Sequence, residues 1–168
     1  MPASRARLSF AAVRFSPERR GYIVKKVAEI LREKANQSVV TVSPDSSVFD
    51  AIKTMAERGI GAVVVAQGDE VVGMLTERDY ARKIVLQDRS SRTTLVREIM
   101  SDPVYYVRPE DTREHCMALM TERRFRHLPV IQDNKLVGLV SIGDLVSDVM
   151  KEQKFIITEL ERYISGER

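Results

Sequence analysis

The chain has 168 residues, of which 43% are hydrophobic and 30% are charged, a composition typical of a globular protein. No apolar run approaches the roughly 20 residues needed to span a bilayer, so we expect no membrane partner. The single cysteine, Cys116, excludes an internal disulfide and is typical of a reducing compartment. Because only two histidines accompany it, we expect no Cys/His zinc site and predict no bound metal.

The positive charge is concentrated at the amino end. Residues 1–20 contain five arginines against one acidic residue, and the whole chain has a net charge of +3, which leaves residues 21–168 at about −1. A duplex-binding domain carries its basic residues on the folded part, so we expect no nucleic-acid partner. Residues 1–22 are a basic leader with three open interpretations: a disordered arm, an extension from an upstream start codon, or an organellar transit segment. The predicted location is the cytoplasm, or the mitochondrial matrix if the leader is a transit segment.

A repeat with a period of 65 residues occupies most of the chain. Residues 30–79 align with residues 95–144 without a gap. The aligned pairs include Pro44 with Pro109, Met55 with Met120, Val65 with Val130, Gly73 with Gly138 and Asp79 with Asp144. Two copies alone are typical of a pseudo-twofold pair rather than a solenoid.

Each copy predicts the same order of elements: a strand, an amphipathic helix, a buried strand, a tight polar turn, a third strand and a second helix. The strands are predicted at residues 39–42, 62–66 and 71–75 in the first copy and at 104–107, 127–131 and 136–140 in the second. The second helices begin at Thr76 and Ser141. The fold class is therefore α/β, with two tandem β-α-β-β-α repeats related by a pseudo-twofold and with an N-terminal helix before them.

The chain ends in a long helix. The predicted segments are the leader (1–22), the first repeat (23–86), a polar linker (87–94), the second repeat (95–152) and a C-terminal helical tail (153–168). From Ser141 towards Ile164, apolar residues recur at a spacing of seven at Val149, Ile156 and Tyr163, with Val146 and Leu160 beside them. Such a face packs on its own module or against a second chain, and we predict a homodimer.

Several segments resemble the motifs of the CBS domain. The segments Gly73-Met-Leu-Thr-Glu-Arg-Asp79 and Gly138-Leu-Val-Ser-Ile-Gly-Asp144 resemble its closing motif, Gly-x-x-Ser/Thr-x-x-Asp. Arg126-His-Leu-Pro-Val130 resembles its strand signature, and Arg97-Glu-Ile-Met-Ser101 resembles its opening segment. The resemblance covers residues 25–150 and is closest to small stand-alone CBS-pair proteins (Bateman modules) of bacteria and plant organelles. It implies a non-catalytic regulatory module that binds an adenine nucleotide between the repeats, AMP foremost and ATP, ADP or NAD(H) as alternatives.

The paired hydroxyl and aspartate residues have two interpretations. Thr76 and Ser141 lie where a strand ends and a helix begins, so their hydroxyls and the free helix N–H groups face one spot. Asp79 and Asp144 follow three residues later on the same face, where a carboxylate can accept both hydroxyls of a ribose. The alternative is a capping box, in which the acid returns a hydrogen bond to the cap residue. We favour ligand binding, because hydroxyl, aspartate and glycine recur in both copies.

The second repeat supplies the other candidate ligand-binding residues. By the resemblance, Arg126 and His127 reach a nucleotide phosphate; the alternatives are a surface ion pair and a satisfied strand residue. Arg78 is a second candidate phosphate ligand. Pro129 is expected to shape the adenine pocket, or else to interrupt an edge strand.

The first repeat departs from this pattern. It has Gly61-Ala-Val-Val64 where the second has Arg126-His-Leu-Pro129, with neither a cation nor a proline. The Asp79 site keeps its carboxylate for a ribose, but its phosphate contacts would have to come from the other repeat. We therefore expect the Asp144 site to be the stronger one, and the Asp79 site to be weaker, to take a different nucleotide or to stay empty.

The remaining candidates point away from catalysis. Cys116 is expected in the core and His115 at a solvated helix position. No P-loop, Rossmann fingerprint or catalytic triad is found, so we predict no enzyme. Two rival functions stay open: a dimerising scaffold without nucleotide binding, and nucleic-acid binding through the leader. The sequence does not identify the regulated partner.

Overall fold

The structure, a computed structural model, describes residues 8–10, 24–34 and 38–166. Apart from residues 8–10, the basic leader predicted over residues 1–22 lies outside the described residues. The helices are α1 (Val27–Glu33), α2 (Val48–Arg58), α3 (Glu77–Lys83), α4 (Arg113–Arg123) and α5 (Ile142–Ser165). The strands are β1 (Leu8–Phe10), β2 (Thr41–Val42), β3 (Ala62–Gln67), β4 (Glu70–Thr76), β5 (Val104–Tyr106), β6 (His127–Gln132) and β7 (Lys135–Ser141).

The two repeats contain equivalent hairpins. Strands β3 and β4 pair antiparallel with Ala62 opposite Thr76, and β6 and β7 pair antiparallel with His127 opposite Ser141. Both hairpins shift register at the same place, after Val65 in one and after its equivalent in the other. The predicted α/β fold with two tandem repeats is confirmed.

Parallel pairings extend each hairpin on one side. Strand β2 pairs with β3, with Thr41 opposite Val64, and the predicted strand over residues 39–42 is shorter than expected. Val107, just after β5, bridges in parallel to Val130 in the equivalent way. Strand β1 pairs in parallel with β5.

The polar linker covers the start of α2. The backbone N–H groups of Val48 and Phe49 donate to the carbonyl oxygens of Thr94 and Ser91, both at 2.9 Å. The first N–H groups of a helix have no partner within the helix, so these bonds satisfy two of them. The linker is therefore fastened to the first repeat through the backbone.

Each repeat is completed by the segment that precedes the other one. Lys26, at the start of α1, bridges to Thr112 of the second repeat, and Leu95 bridges to Ser47 of the first. Because residues 26 and 95 hold equivalent places, the structural offset before β2 is 69 residues. The gap-free alignment expected back to residue 30 is therefore wrong at its beginning, although the offset of 65 holds from β2 onwards.

The core consists of three clusters. One contains Val27 and Ile30 of α1 with residues of the second repeat, and one contains Val96 and Ile99 with residues of the first. A third joins the two repeats through Ala62, Val64, Val71, Met74, Val104 and Ile131. Close packing explains two glycines, since a Cβ at Gly73 would lie 2.5 Å from the Met100 sulfur and a Cβ at Gly138 would lie 2.5 Å from a methyl carbon of Leu31.

Two residues of α4 test the expectations for this helix. Cys116 is 0% exposed within the second-repeat cluster, which confirms its predicted place in the core. His115 is buried at 8% exposure, so its predicted solvated position is wrong. The repeat aligns His115 with Asp50 of α2, which is exposed, but in α4 this position faces the interior.

A buried ion cluster fastens α4 to α5. Arg113 and Asp148 are each 5% exposed, with Nη1 2.8 Å from Oδ2. Arg113 also contacts Glu114 at 2.9 Å and Glu152 at 2.6 Å, and Lys25 pairs with Asp148 from the segment before α1. Three segments distant in the sequence thus meet at one cluster of charges.

Helix α5 continues well beyond the module. Leu145 and Asp148 are its buried residues, whereas residues 153–166 are exposed apart from the half-buried Thr158. The long C-terminal helix is confirmed, but within the described residues nothing packs over its second half. No helix in the described part of the chain is long and apolar enough to cross a membrane.

Candidate ligand-binding clefts

Two clefts lie between the repeats. The Ser141 cleft has a volume of about 540 Å³ and combines Leu139 and Ser141 of the second repeat with residues 58–62 of the first. The Thr76 cleft has a volume of about 520 Å³ and combines Met74 and Thr76 of the first repeat with residues 123–127 of the second. Ser141 and residues 58–62 hold the same places in the repeat as Thr76 and residues 123–127, so each cleft takes the helix start of one repeat and the strand start of the other. Asp79 lines the Thr76 cleft, whereas Asp144 is not among the described residues that line the Ser141 cleft.

A capping box forms at the Ser141 cleft. The Ser141 hydroxyl and backbone N–H both donate to Oδ2 of Asp144, each at 2.8 Å, and the Asp144 N–H donates to the hydroxyl at 3.2 Å. Within the described residues, Oδ1 of Asp144 accepts no hydrogen bond. The capping interpretation is therefore correct as local geometry, and one carboxylate oxygen stays available to a ligand.

Lys34 also binds Asp144. Its ammonium group lies 2.9 Å from Oδ2 and donates to the carbonyl oxygen of Leu139 at 3.1 Å. Burial raises the pKa of the Asp144 carboxyl, but the hydrogen bonds from Lys34 and Ser141 outweigh it and hold the pKa below its ordinary value. Asp144 is therefore ionised near pH 7 and keeps its accepting capacity.

The Thr76 cleft has the equivalent capping box with a different cation. The Thr76 hydroxyl and N–H donate to Oδ2 of Asp79 at 2.7 and 3.1 Å. Lys83, one turn later on α3, lies 3.0 Å from Oδ1 of Asp79 and donates to the carbonyl oxygen of Ile99. The acid of this cleft is thus paired within its own helix, whereas Asp144 is paired by the segment after α1.

His127 lines both clefts at the start of β6. Burial, followed by the nearby charge of Lys34, lowers the pKa of His127 below its ordinary value. The imidazole is therefore neutral near pH 7 and donates through one nitrogen only. Its predicted contact with a phosphate would be a neutral hydrogen bond.

The structure places the predicted arginines at the Thr76 cleft. Arg126 and Arg78 both line it beside Asp79, and Nη1 of Arg78 donates to the carbonyl oxygen of Arg124 at 3.2 Å. Arg126 of the second repeat therefore lies where a phosphate contact at the Asp79 site was expected to come from, and the greater strength of the Asp144 site stays a prediction. The physical reason for the place of Arg126 is that a strand start faces the helix start of the other repeat.

Pro129 lies in the interior of β6. It is buried, pairs with Leu139 across the hairpin, and its carbonyl oxygen accepts from the N–H of Val107 at 3.0 Å. It is not among the described residues that line the two clefts, so its predicted contact with an adenine ring stays a prediction without support from this geometry.

Five residues of the clefts were not predicted from the sequence. Lys34 lies beside Asp144, and the Thr76 cleft also contains Arg82, Arg123, Arg124 and Tyr105. The signal was present in the repeat itself, because Arg123-Arg124-Phe-Arg126 aligns with Arg58-Gly59-Ile-Gly61. Among the described residues, no group of three or more His, Cys, Asp and Glu side chains could hold a metal ion.

The family model for the CBS domain matches residues 24–86 and 96–151. Together with the paired hairpins and clefts, this shows that the chain belongs to the CBS domain family.

The relatives include stand-alone CBS-domain proteins. The mitochondrial protein CBSX3 of Arabidopsis thaliana is 38% identical over 157 residues, which span 89% of this chain and 76% of that protein. A solved CBS-domain protein from Burkholderia ambifaria MC40-6 is 54% identical, with a TM-score of 0.74 over 77% of this chain and 96% of its own. The hexameric CBS-CP12 protein from bloom-forming cyanobacteria is 32% identical, with a TM-score of 0.65 over 75% of this chain and 72% of its own.

Proposed function

We propose that this CBS-domain protein is a non-catalytic regulator that binds an adenine nucleotide between its repeats and signals to a partner by a change in packing or assembly. The observation that carries the proposal is the repeated capping aspartate at the edge of a nucleotide-sized cleft. Beside the Ser141 cleft, Asp144 has an oxygen free to accept from ribose hydroxyls. In the Thr76 cleft, Arg78 and Arg126 provide donors for phosphate beside Asp79. A ligand that contacts both repeats favours one relative packing of them over others.

The candidate ligands are AMP, ADP, ATP and NAD(H), which share the adenosine group. The regulated protein is not identified by the chain. We place the protein in the cytoplasm, or in the mitochondrial matrix if residues 1–22 are a transit segment. The partner would recognise surfaces of the protein whose relative position changes when the packing of the repeats changes.

A thermal-shift panel tests nucleotide binding. A ligand at about 100 times its dissociation constant adds about 2.7 kcal/mol of stability, which raises the melting temperature of a domain of this size by roughly 5–10 °C. Asp79→Ala and Asp144→Ala each remove one carboxylate, so the shift should fall in the variant whose cleft is occupied. The exposed substitution Glu161→Gln is the matched control and should leave the shift unchanged. No shift with any adenine nucleotide would refute the proposal.

The second candidate function is a dimerising scaffold, which the exposed face of α5 favours. Seven large apolar side chains between Met150 and Ile164 are 48–86% exposed. A standard protein interface buries about 800 Å² per partner, and large apolar side chains exposed together on one helix are typical of such a surface. An isolated helix half of this length is marginal in water, so it needs a partner surface. We propose that a second copy of the chain covers it, as the hexameric relative is assembled from chains of this fold.

Light scattering on the purified chain tests the scaffold. The wild type is expected to be a dimer or a larger assembly, and Ile156→Asp with Leu160→Asp should release monomers, because two carboxylates would be buried without partners. Lys151→Glu, an exposed charge change on the same helix, should leave the assembly intact. A monomeric wild type would contradict the pairing through α5.

A further inference from the structure

The two clefts differ in the number of arginines that line them. Five arginines line the Thr76 cleft: Arg78, Arg82, Arg123, Arg124 and Arg126. At the equivalent positions around the Ser141 cleft the repeat has Gly143, Ser147, Arg58, Gly59 and Gly61. Four of the five guanidinium groups therefore have no counterpart at the equivalent position. The Ser141 cleft is lined instead by two arginines and a lysine, Arg32, Arg58 and Lys34, so the clefts differ in guanidinium groups by five to two.

Arg124 holds its place in the Thr76 cleft at a conformational cost. It is the C-cap of α4 in the left-handed region, with φ 58°, and its equivalent at the end of α2 is Gly59, with φ 63°. Glycine adopts this conformation freely, whereas a residue with a Cβ is strained there. Strained residues of this kind cluster at functional sites, and this one is an arginine that lines a cleft.

Most of this charge is not neutralised by the protein. Within the described part of the chain, Arg82, Arg124 and Arg126 have no carboxylate partner. The cleft also contains Glu77 and Asp79, but Asp79 already binds Lys83 at 3.0 Å. The five guanidinium groups that line this cleft outnumber its two carboxylates and repel one another, so the arrangement favours an anion with several charges.

We propose that the Thr76 cleft binds a nucleoside polyphosphate, with two or more linked phosphates held by the arginines and the ribose at Asp79. The inference rests on the proposed nucleotide binding and specifies the ligand class of one cleft. A chain of phosphates offers successive pairs of oxygens, and each guanidinium matches such a pair with two parallel hydrogen bonds. A monophosphate reaches too few of the five groups to satisfy them.

Calorimetric titration of the full chain with AMP, ADP, ATP and inorganic tripolyphosphate tests this ligand class. The titrations are made in an Asp144→Ala background, which silences the other cleft. ATP and ADP are expected to bind at least tenfold more tightly than AMP, and tripolyphosphate more weakly than ATP, because it lacks the ribose.

Two variants test the arginines separately. Arg124→Gly is expected to weaken ATP binding about tenfold while AMP changes little, since a charge-assisted hydrogen bond is lost. The same change relieves the left-handed strain and should raise the melting temperature by about 2 °C, so lost affinity cannot be ascribed to unfolding. Arg82→Gln should weaken ATP binding similarly without altering a cap. Arg162→Gln, on the exposed end of α5, is the matched control and should change nothing.

The outcomes separate this inference from the proposed function. Equal affinity for AMP and ATP, or unchanged ATP binding in both arginine variants, would overturn the polyphosphate assignment and leave nucleotide binding standing. Tripolyphosphate binding as tight as that of ATP would show that the phosphate chain alone is recognised, which also overturns it. Absence of binding by every nucleotide would remove both.

Discussion

Asp148→Asn removes the charge at the centre of the buried ion cluster while keeping the shape of the side chain. Removing one partner of a buried ion pair costs about 3–5 kcal/mol, because the other charge is left uncompensated. Arg113 would retain Glu152 at 2.6 Å and Glu114 at 2.9 Å. We therefore expect the low end of the range, about 3 kcal/mol. This is a large part of the roughly 5–15 kcal/mol that stabilises a typical domain.

Urea unfolding followed by circular dichroism measures the difference. Glu159→Gln is the control, since it breaks a pair with Arg162 whose side chains are 50% and 63% exposed, and it should cost less than about 1 kcal/mol. A loss for Asp148→Asn below about 0.5 kcal/mol near pH 7, or one equal to the control, would refute the reasoning.

The stability difference between the wild type and Asp148→Asn should also depend on pH. Burial raises the pKa of the Asp148 carboxyl, but the hydrogen bonds from Lys25 and Arg113 outweigh it and lower the pKa below its ordinary value. A carboxyl group whose pKa is lower in the folded state than in the unfolded state stabilises the fold at any pH above its unfolded pKa, about 3.9. This contribution is lost as the pH falls through the folded pKa. The difference between wild type and variant should therefore narrow below about pH 4, and a constant difference at lower pH would contradict the assignment.

Three smaller perturbations test the packing and the clefts. Gly138→Ala places a methyl group 2.5 Å from the α1 leucine and should cost about 1–3 kcal/mol in chemical denaturation, whereas Gly143→Ala, with its nearest contact at 3.6 Å, should not destabilise. Lys34→Met should raise the pKa of Asp144 towards its ordinary value in an NMR titration, and an unchanged pKa would exclude the ion pair. Cys116 is fully buried, and burial raises the pKa of its thiol to about 12, so iodoacetamide should label it in urea but not in the native protein; fast native labelling would contradict its place in the core.

The candidate site was partly readable from the sequence. The motifs that end in Asp79 and Asp144 are local, because a strand end, a cap hydroxyl and an acid three residues later fix one another within a single helical turn. The repeat showed that two such sites exist. It did not show which arginines line which cleft, because this depends on how segments distant in the sequence pack together. Lys34 was missed for the same reason, because it reaches Asp144 across 110 positions of the sequence.

The sequence by itself determined the order of the elements, the two hairpins and the long last helix. These follow from periodicity, turn residues and caps, which act over a few residues and were repeated in both copies. Only the tertiary structure decided that α1 completes the core of the second repeat and that each strand start faces the helix start of the other. An apolar helix face can pack against any complementary apolar surface, so the sequence pattern does not identify the surface that it packs against. The partner is selected by shape and by long-range pairing, such as Lys26 with Thr112, and these contacts exist only once the chain is folded.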